Sequence, residues 1–192
     1  MSRSIFISVR SNSSRLPKKA TRQIVGKPTI FYLIDSLKKS QHADNIILCT
    51  TERDEDTQLC DIATENGIAY FRGADEDKLM RWMSACEEYD VDFFVNVDGD
   101  DLFFDYKLAD LIFEQARHSN VDFIDGHGLY NDAYGISYES LKEVCRIKAT
   151  DETEYIRPYF TDTGLFSVER IKNIPDCYKK RNIRMTLDYE DD

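Results

Sequence analysis

The sequence predicts an α/β protein whose sheet is mostly parallel and carries helices on both faces. Short apolar runs of strand length alternate with segments in which apolar residues recur every three or four positions, and this alternation is the pattern of βαβ units. The chain has 192 residues, of which 42% are hydrophobic and 32% charged, as expected of a folded domain with a hydrophobic core. The sequence shows no internal repeat, low-complexity tract or linker, so we predict a single domain over residues 1–192.

The first 125 residues contain the regular part of this alternation. Apolar runs predict strands at residues 4–9, 45–50, 68–72, 91–97 and 121–125. Helical spacing of apolar residues predicts helices at residues 27–40, 54–67, 75–89 and 106–119. Pro28 suits the first turn of its helix, Asp54 is of a type favoured at an N-cap, and Gly67 is typical of a helix end.

After residue 125 the pattern is less regular. Residues 133–138 and 164–168 resemble short strands. Residues 151–160 begin as a helix that Pro158 disturbs. We interpret residues 126–192 as the second half of the same domain.

Composition and charge argue against several classes of partner and site. The net charge of -11 argues against a general binder of nucleic acid or anionic membranes. The five cysteines are dispersed without CxxC spacing, which is typical of reduced thiols rather than of a disulfide framework or a zinc site. The apolar run at residues 5–9 is too short for a signal peptide or a membrane span. We therefore expect a cytoplasmic protein with no nucleic acid and no membrane among its partners.

A basic loop follows the first strand. Residues 7–20, ISVRSNSSRLPKKA, place four cations in one short segment of an acidic chain. Open parallel sheets bind ligands beyond the carboxyl ends of their strands, where small residues can direct backbone N–H groups at a phosphate. Arg10 and Arg15 can each hold phosphate oxygens with two hydrogen bonds, and Lys19 can supply a movable charge. The loop therefore predicts a polyphosphate site, with a solvated basic loop as the alternative.

An acidic turn follows the fourth strand. Asp98, Asp100 and Asp101 lie beside Gly99, and carboxylates this close repel one another unless a cation joins them. Oxygen ligands of this kind suit Mg²⁺, which also takes water and substrate phosphates as ligands. The turn predicts a magnesium site, and a solvated acidic turn is the alternative that the residues alone leave open.

Several motifs, in order along the chain, resemble those of the cytidylyltransferases, which include the deoxy-octulosonate and acylneuraminate enzymes and the spore-coat polysaccharide SpsF-like group. Residues 10–19 resemble the family loop R-x-x-S-x-R-L-P-x-K, and residues 26–28 match its G-K-P. Residues 71–82, FRGADEDKLMRW, resemble the SpsF-like FRGSEEDVLxRY, and residues 183–192, IRMTLDYEDD, resemble R-L-T-V-D-T-P-E-D. The resemblance extends from residue 4 to residue 191 and implies a glycosyltransferase-A-like nucleotide-diphospho-sugar transferase fold.

The resemblance also implies an activity. A cytidylyltransferase transfers CMP from CTP to an acceptor with release of pyrophosphate, and the resemblance points to a sugar acid and to cell-surface polysaccharide synthesis. An acceptor oxygen would attack the α-phosphorus of CTP with the help of Mg²⁺. Residues 1–125 would then form the nucleotide-binding half and residues 126–192 the acceptor-side half. A homodimer is an assembly that we leave open.

Specific site residues follow from the same resemblance. The expected nucleotide-binding residues are Arg10, Ser13, Arg15, Lys19, Arg72 and Arg81. Of these, Arg15 and Lys19 are the expected catalytic residues, because they would stabilise charge on the phosphates. Both side chains are expected to be largely exposed to the crevice. The aspartate of the family's G-D pair falls on Asp100 and its second metal aspartate on Asp188, so these two are the expected Mg²⁺ ligands. Asp98 is a weaker candidate.

Some positions depart from the family pattern. Lys18 replaces the usual Gly before the loop lysine, Val9 replaces a common Ala, and Asp101 follows the G-D pair where a Pro is usual nearby. Lys18 adds charge and bulk where backbone normally approaches phosphate. The chain stops four residues after Asp188, where relatives continue into a further helix. This predicts a truncated form, a module of a longer protein or a naturally short form.

Two other functions stay open from the sequence. A metal-dependent glycosyltransferase would use the Asp98-x-Asp100 pattern but would not need the basic loop, and a non-catalytic relative would bind CTP without turnover. The acceptor wall is also undecided, because aromatic residues are more often core than ligand contacts and Arg157 could form a surface ion pair instead of holding a carboxylate. The candidates for that wall are Tyr134, Tyr138, Tyr155, Arg157 and Tyr159.

Overall fold

The computed structural model describes residues 2–13, 15–179 and 186–192. The strands are β1 (Arg3–Ser8), β2 (Gln23–Ile24), β3 (Lys27–Pro28), β4 (Asn45–Thr51), β5 (Ala69–Gly73), β6 (Phe93–Asp98), β7 (Phe123–Asp125), β8 (Tyr134–Ser137) and β9 (Val168–Arg170). The α-helices are α1 (Thr29–Leu37), α2 (Thr57–Glu65), α3 (Lys78–Tyr89), α4 (Tyr106–Arg117), α5 (Tyr138–Ile147) and α6 (Arg157–Thr161). Short 3₁₀ turns lie at Lys19–Thr21, Asp54–Asp56 and Asp176–Tyr178.

The main sheet places β1 between β4 and β6. Seven of the described strands form it, in the order β5-β4-β1-β6-β8-β7-β9. Neighbouring strands from β5 to β6 are parallel, β8 is antiparallel to both β6 and β7, and β9 is parallel to β7. The mostly parallel sheet predicted from the sequence is therefore confirmed. Ser8 pairs in register with Asp98, so the loop after β1 and the turn after β6 start side by side.

Alternate residues of the sheet face two hydrophobic clusters. On β1, Ile5 and Ile7 pack in one cluster with α1, α2 and α4, whereas Phe6 packs in the other with α3, α5 and α6. Trp82 of α3 and Phe160 of α6 are fully buried in the second cluster. Helices cover both faces, as predicted. Within the described residues, no helix is both long and apolar enough to cross a membrane.

In the second half, the strand predicted at 133–138 is confirmed as β8, one predicted helix begins later than expected, and one helix is not predicted at all. The helix expected over 151–160 begins only at Arg157, because Pro158 lies in its first turn, where proline is tolerated, rather than in its interior. The predicted strand at 133–138 ends at Ser137, and α5 follows where no helix is predicted. The Ser137 hydroxyl caps α5 by accepting a hydrogen bond from the N–H of Ser140 over 3.2 Å.

The predicted ends of the helices and strands are confirmed in part. Gly67 has a φ of 65° directly after α2, as expected of a helix stop. Asp54 does not cap α2, because it opens the 3₁₀ turn that precedes the helix. Pro28 lies just before α1 rather than in its first turn. Of the strand predicted at 164–168, Val168 alone belongs to β9.

The end of the chain contacts the turn after β6. Residues 183–187, IRMTL, have the composition of a short strand, but they lie mostly outside the described residues, which resume at residue 186. Leu187 is described, and its N–H donates a hydrogen bond to the carbonyl oxygen of Asp100 over 2.9 Å. This bond places the residue that follows, Asp188, beside the acidic turn.

The β2–β3 hairpin contains a strained turn that a substitution can test. Val25 and Gly26 have φ values of 50° and 76°, the type I′ pattern that favours Asn-Gly. Left-handed backbone costs a residue such as valine about 1–2 kcal/mol, and Val25 gains little by burial because it is 92% exposed. We expect Val25→Asn to raise the melting temperature by about 2–4 °C. Ile24→Asn, in the same hairpin without positive φ, is the control and should not stabilise. An unchanged or lower melting temperature for Val25→Asn would contradict the strain.

Candidate active site

A cleft of about 630 Å³ opens at the carboxyl ends of β1 and β6. Its walls come from the loop after β1, the segment that leads from β5 into α3, the turn after β6, and Glu154. Open parallel sheets bind ligands at this position. The predicted site residues that line the cleft are Arg10, Ser13, Arg15, Lys19, Arg81 and Asp100.

Hydrogen bonds hold the basic loop in place. The N–H of Ser11 donates to Asp56 Oδ1 over 2.7 Å, and the N–H of Lys18 donates to the carbonyl oxygen of Ser11 over 3.1 Å. Lys18 has a φ of 56°, a left-handed conformation that glycine adopts without steric cost. The turn itself therefore explains why glycine is usual at this position. The Lys18 side chain is exposed.

Lys19 joins the two aspartates that the resemblance assigns to a metal. Its ammonium group donates a hydrogen bond to Asp100 Oδ2 and lies 3.5 Å from Asp188 Oδ1. Arg15 Nη2 reaches the same Asp188 oxygen over 2.9 Å. The Arg15 side chain is 54% exposed, as expected. The same expectation is wrong for Lys19, whose side chain is 14% exposed. Two carboxylates far apart in sequence thus converge on one cation.

Asp98, the weaker metal candidate, has a different cation as its partner. Lys78 Nζ donates to Asp98 Oδ1 over 2.8 Å. Desolvation acts to raise the pKa of Asp98, but the Lys78 ammonium and the Asn96 amide outweigh it and leave that pKa below its ordinary value. In the described contacts, Asp98 and Asp100 therefore pair with separate lysines, which does not favour a shared D-x-D metal site.

Asp101 faces away from this charge cluster. It is buried and accepts a hydrogen bond from Asn131 Nδ2 over 2.6 Å. Burial, with repulsion from the two neighbouring aspartates, raises the pKa of Asp101 well above its ordinary value. Gly99, in the same turn, has no room for a side chain, because a Cβ there would lie 2.6 Å from Val9 Cβ. Asp101 and Gly99 thus shape the turn that presents Asp100.

Arg81 and Arg72 bind backbone carbonyl groups. Arg81 is buried beside the cleft, where burial lowers its pKa, and its Nε and Nη2 donate over 2.9 Å to the carbonyl oxygens of Ala74 and Asp75. It thereby fixes the segment between β5 and α3. Arg72 donates to three carbonyl oxygens at the end of β4, those of Thr51, Glu52 and Arg53. A direct contact of Arg72 with nucleotide stays a prediction.

The predicted acceptor residues do not gather into one wall. Arg157 donates to the buried Asp125 over 3.0 Å, and Arg170 reaches the same carboxylate over 2.9 Å. Both guanidinium groups thus converge on the single carboxylate of Asp125 at the end of β7. Of the predicted aromatic residues, three pack against the second hydrophobic cluster, namely Tyr134, Tyr138 and Tyr159. Tyr155 is exposed.

The cleft also contains three charged residues that are not expected from the sequence, which are Glu76, Lys78 and Glu154. Lys78 could have been identified from the sequence, because the SpsF-like motif has Val at this position and the lysine departs from it. Glu154 lies in an irregular segment and carries no local signal. Only packing against α3 brings it to the cleft.

A model of the cytidylyltransferase family matches residues 5–183, which is nearly the whole chain. The chain belongs to the cytidylyltransferase family. The resemblance drawn from the sequence motifs is thereby confirmed, and so is CTP-dependent nucleotidyl transfer as the general chemistry of the family.

Known members and neighbours of the cytidylyltransferase family agree with this assignment. The spore coat polysaccharide biosynthesis protein SpsF of Bacillus subtilis is 24% identical over 97% of this chain and 81% of its own length. The structure of a cytidylyltransferase from Leptospira borgpetersenii matches with a TM-score of 0.88 at 25% identity, over 98% of this chain and 82% of that one. A CMP:2-keto-3-deoxy-manno-octonic acid synthetase complexed with CTP matches with a TM-score of 0.72 at 12% identity, over 89% and 90% of the two chains. At that identity the likeness shows the fold.

Proposed function

We propose that the protein transfers CMP from CTP to a small anionic acceptor, a sugar acid, with release of pyrophosphate. The observation that carries the proposal is the cluster at the ends of β1 and β6, where Lys19 and Arg15 meet Asp100 and Asp188. Membership of the cytidylyltransferase family supports CTP as the nucleotide. The similarity to a spore coat polysaccharide biosynthesis protein supports a role in cell-surface polysaccharide synthesis.

The basic loop would bind the triphosphate and stabilise its charge. Arg15 is exposed, so its guanidinium group can turn from Asp188 to a phosphate and hold two oxygens. A hydroxyl oxygen of the acceptor attacks the α-phosphorus of CTP and loses its proton to water. The bond from that phosphorus to the bridging oxygen breaks, and pyrophosphate leaves with the electron pair. Lys19 and Arg15 offset the negative charge that grows on the phosphates, which is the main contribution a protein makes to this class of reaction.

The carboxylates of the cleft fit Mg²⁺. In the part of the chain that the structure describes, no group of three or more acidic, histidine or cysteine side chains is arranged around one metal position. Asp100 and Asp188 nevertheless converge on the Lys19 ammonium, and two carboxylates completed by phosphate oxygens and water are a usual Mg²⁺ environment. When bound, Mg²⁺ would neutralise phosphate charge and polarise the reacting phosphoryl group.

The two arginines at the end of β7 support an anionic acceptor. Arg157 and Arg170 share the single carboxylate of Asp125, and both guanidinium groups are partly exposed, with 38% and 62% of their side chains accessible. Arginine forks bind carboxylates with two parallel hydrogen bonds. A sugar acid matches this chemistry better than a neutral sugar does.

A pyrophosphate-release screen tests the proposal. Each of the four ribonucleoside triphosphates is paired, with Mg²⁺, with a panel of sugar acids, amino sugars and phosphonates. We expect release only from CTP, with a sugar acid as acceptor. CTP should also raise the melting temperature more than ATP, GTP or UTP does, because ligand that binds the folded state stabilises it.

Each contrary result of the screen has a distinct meaning. Equal thermal shifts for all four triphosphates would overturn the assignment of CTP. CTP binding without pyrophosphate release for any acceptor would favour the non-catalytic alternative. Sugar transfer to a glycan without CTP turnover would favour the glycosyltransferase alternative, although the separate partners of Asp98 and Asp100 speak against it.

A further inference from the structure

The charges that line the cleft include two contrasting groups. Lys19 and Asp100 belong to the loop after β1 and the turn after β6. On the other side of β1, the Arg10 guanidinium lies between two glutamates: it is hydrogen-bonded to Glu154, and its Nη1 lies 3.7 Å from Glu76 Oε2. Two carboxylates repel a triphosphate, so this side of the cleft suits an uncharged part of the nucleotide. Arg10, which the sequence alone suggests as a phosphate ligand, is instead paired with these carboxylates.

An arginine beside a carboxylate complements one pyrimidine in particular. Cytosine presents an amine donor at N4 and acceptors at N3 and O2, whereas uracil presents an acceptor at O4 and a donor at N3. A guanidinium group supplies donors and a carboxylate supplies acceptors, and a glutamate that accepts from cytosine N4 is a known mode of base recognition. With the Glu154 carboxylate at position 4 of the base and the Arg10 guanidinium beside N3 and O2, the pair matches cytosine. In the same pose uracil would place its O4 against the carboxylate and its N3–H against the guanidinium.

The backbone next to Glu154 is fixed in place. Thr153 is fully buried, and its hydroxyl donates to Asp77 Oδ1 and accepts from the N–H of Leu79, both over 3.2 Å. Lys148 Nζ reaches the other oxygen of Asp77 over 2.5 Å. The segment before Glu154 is therefore attached to the start of α3, and a side chain on fixed backbone can discriminate between ligands.

Glu76 is less suited to the same role. Its Oε1 lies 3.1 Å from Arg53 Nη2, so one of its two oxygens is already engaged on the outer side of the cleft. For Glu154, the described ion-pair partner is Arg10. A base can therefore reach the Glu154 carboxylate by replacing its ion-pair contact with Arg10, while the charge of the buried Arg81 also acts on Glu154.

We propose that Glu154 determines the preference for CTP over UTP, with its carboxylate accepting a hydrogen bond from the 4-amino group of cytosine while Arg10 donates to N3 or O2. The inference rests on the proposed use of CTP. It adds the residues of this chain that select the base.

The test compares Glu154→Gln with a matched control. Calorimetry measures the affinities of the parent and of each variant for CTP and for UTP in the presence of Mg²⁺. We expect Glu154→Gln to weaken CTP binding about tenfold and to leave UTP binding unchanged or tighter, because a glutamine amide can donate to uracil O4. Glu152→Gln removes the same charge two residues away, at an exposed position, and should change neither affinity.

Every other outcome overturns the inference. Equal weakening of CTP and UTP by Glu154→Gln would place Glu154 against the ribose. Equal tightening would make it a counter-ion of Arg10 in the free protein. A parent protein that prefers CTP and a variant that keeps this preference would refute the inference alone, whereas a parent protein without affinity for CTP would refute the proposed function as well. Ligand-free melting confirms that each variant is folded.

Discussion

Lys19→Ala is expected to reduce pyrophosphate release by about 10²–10³-fold and to lower the free energy of unfolding of the ligand-free protein by about 2 kcal/mol. The first effect follows from the loss of a cation that we propose binds the phosphates. The second arises because Lys19 separates Asp100 from Asp188, whose side chains are 20% and 12% exposed. Without the ammonium group, these two carboxylates face each other without that counter-ion.

The control for this prediction lies one residue away in the loop. Lys18→Ala removes the same charge from an exposed side chain. The backbone of Lys18 is left-handed, but lysine and alanine both carry a Cβ, so the backbone strain there should not change. It should leave the stability within about 0.5 kcal/mol of the parent and retain most of the turnover. Urea denaturation and the pyrophosphate assay measure both effects. If Lys19→Ala were as stable as the parent, the ammonium group would not be what holds the two aspartates together.

Asp188→Asn is expected to lower turnover by about a hundredfold and to raise the Mg²⁺ concentration needed for half-maximal CTP binding. Asp188 accepts from Arg15 and lies beside Lys19, so its charge also matters before any ligand binds. Two carboxylates that met without a cation would repel, and removal of one would then stabilise the fold. Because Lys19 lies between Asp100 and Asp188, we expect instead a loss of about 1 kcal/mol in ligand-free stability.

A neighbour of Asp188 supplies the control for this experiment. Asp191→Asn removes the same charge from an exposed residue near the end of the chain. It should match the parent in turnover, in the Mg²⁺ concentration needed for CTP binding and in ligand-free stability. CTP binding is titrated with Mg²⁺ by calorimetry, so the result does not depend on knowing the acceptor. A normal Mg²⁺ dependence for Asp188→Asn would mean that the end of the chain is not part of the site.

The sheet and its helices could be predicted because their signals are local. A strand such as β6 is a continuous apolar run, and a helix such as α4 repeats apolar residues every three or four positions. The second half is harder to predict. Pro158 reads as a helix disturbance in the sequence although it lies in the first turn of α6. Ser137 both ends β8 and caps α5, so one short stretch contains the end of a strand and the start of a helix.

The candidate site divides in the same way. The sequence alone determined that a basic loop follows β1 and that an acidic turn follows β6, because each signal lies within a few residues of a strand end. Their meeting then follows from the order of parallel strands, which places the carboxyl ends of β1 and β6 together. Asp188 is found from the sequence only through the resemblance to the cytidylyltransferases.

Only the tertiary structure decided which charges are joined. Glu154 reaches Arg10 because Thr153 and Lys148 attach its segment to α3, and the ammonium of Lys19 is mostly buried because Asp188 approaches from the far end of the chain. Such pairs depend on packing between residues more than a hundred positions apart, and no local periodicity encodes it. The sequence therefore determined the fold class and the kinds of group in the cleft, whereas the packing of distant segments determined their partners and their exposure to solvent.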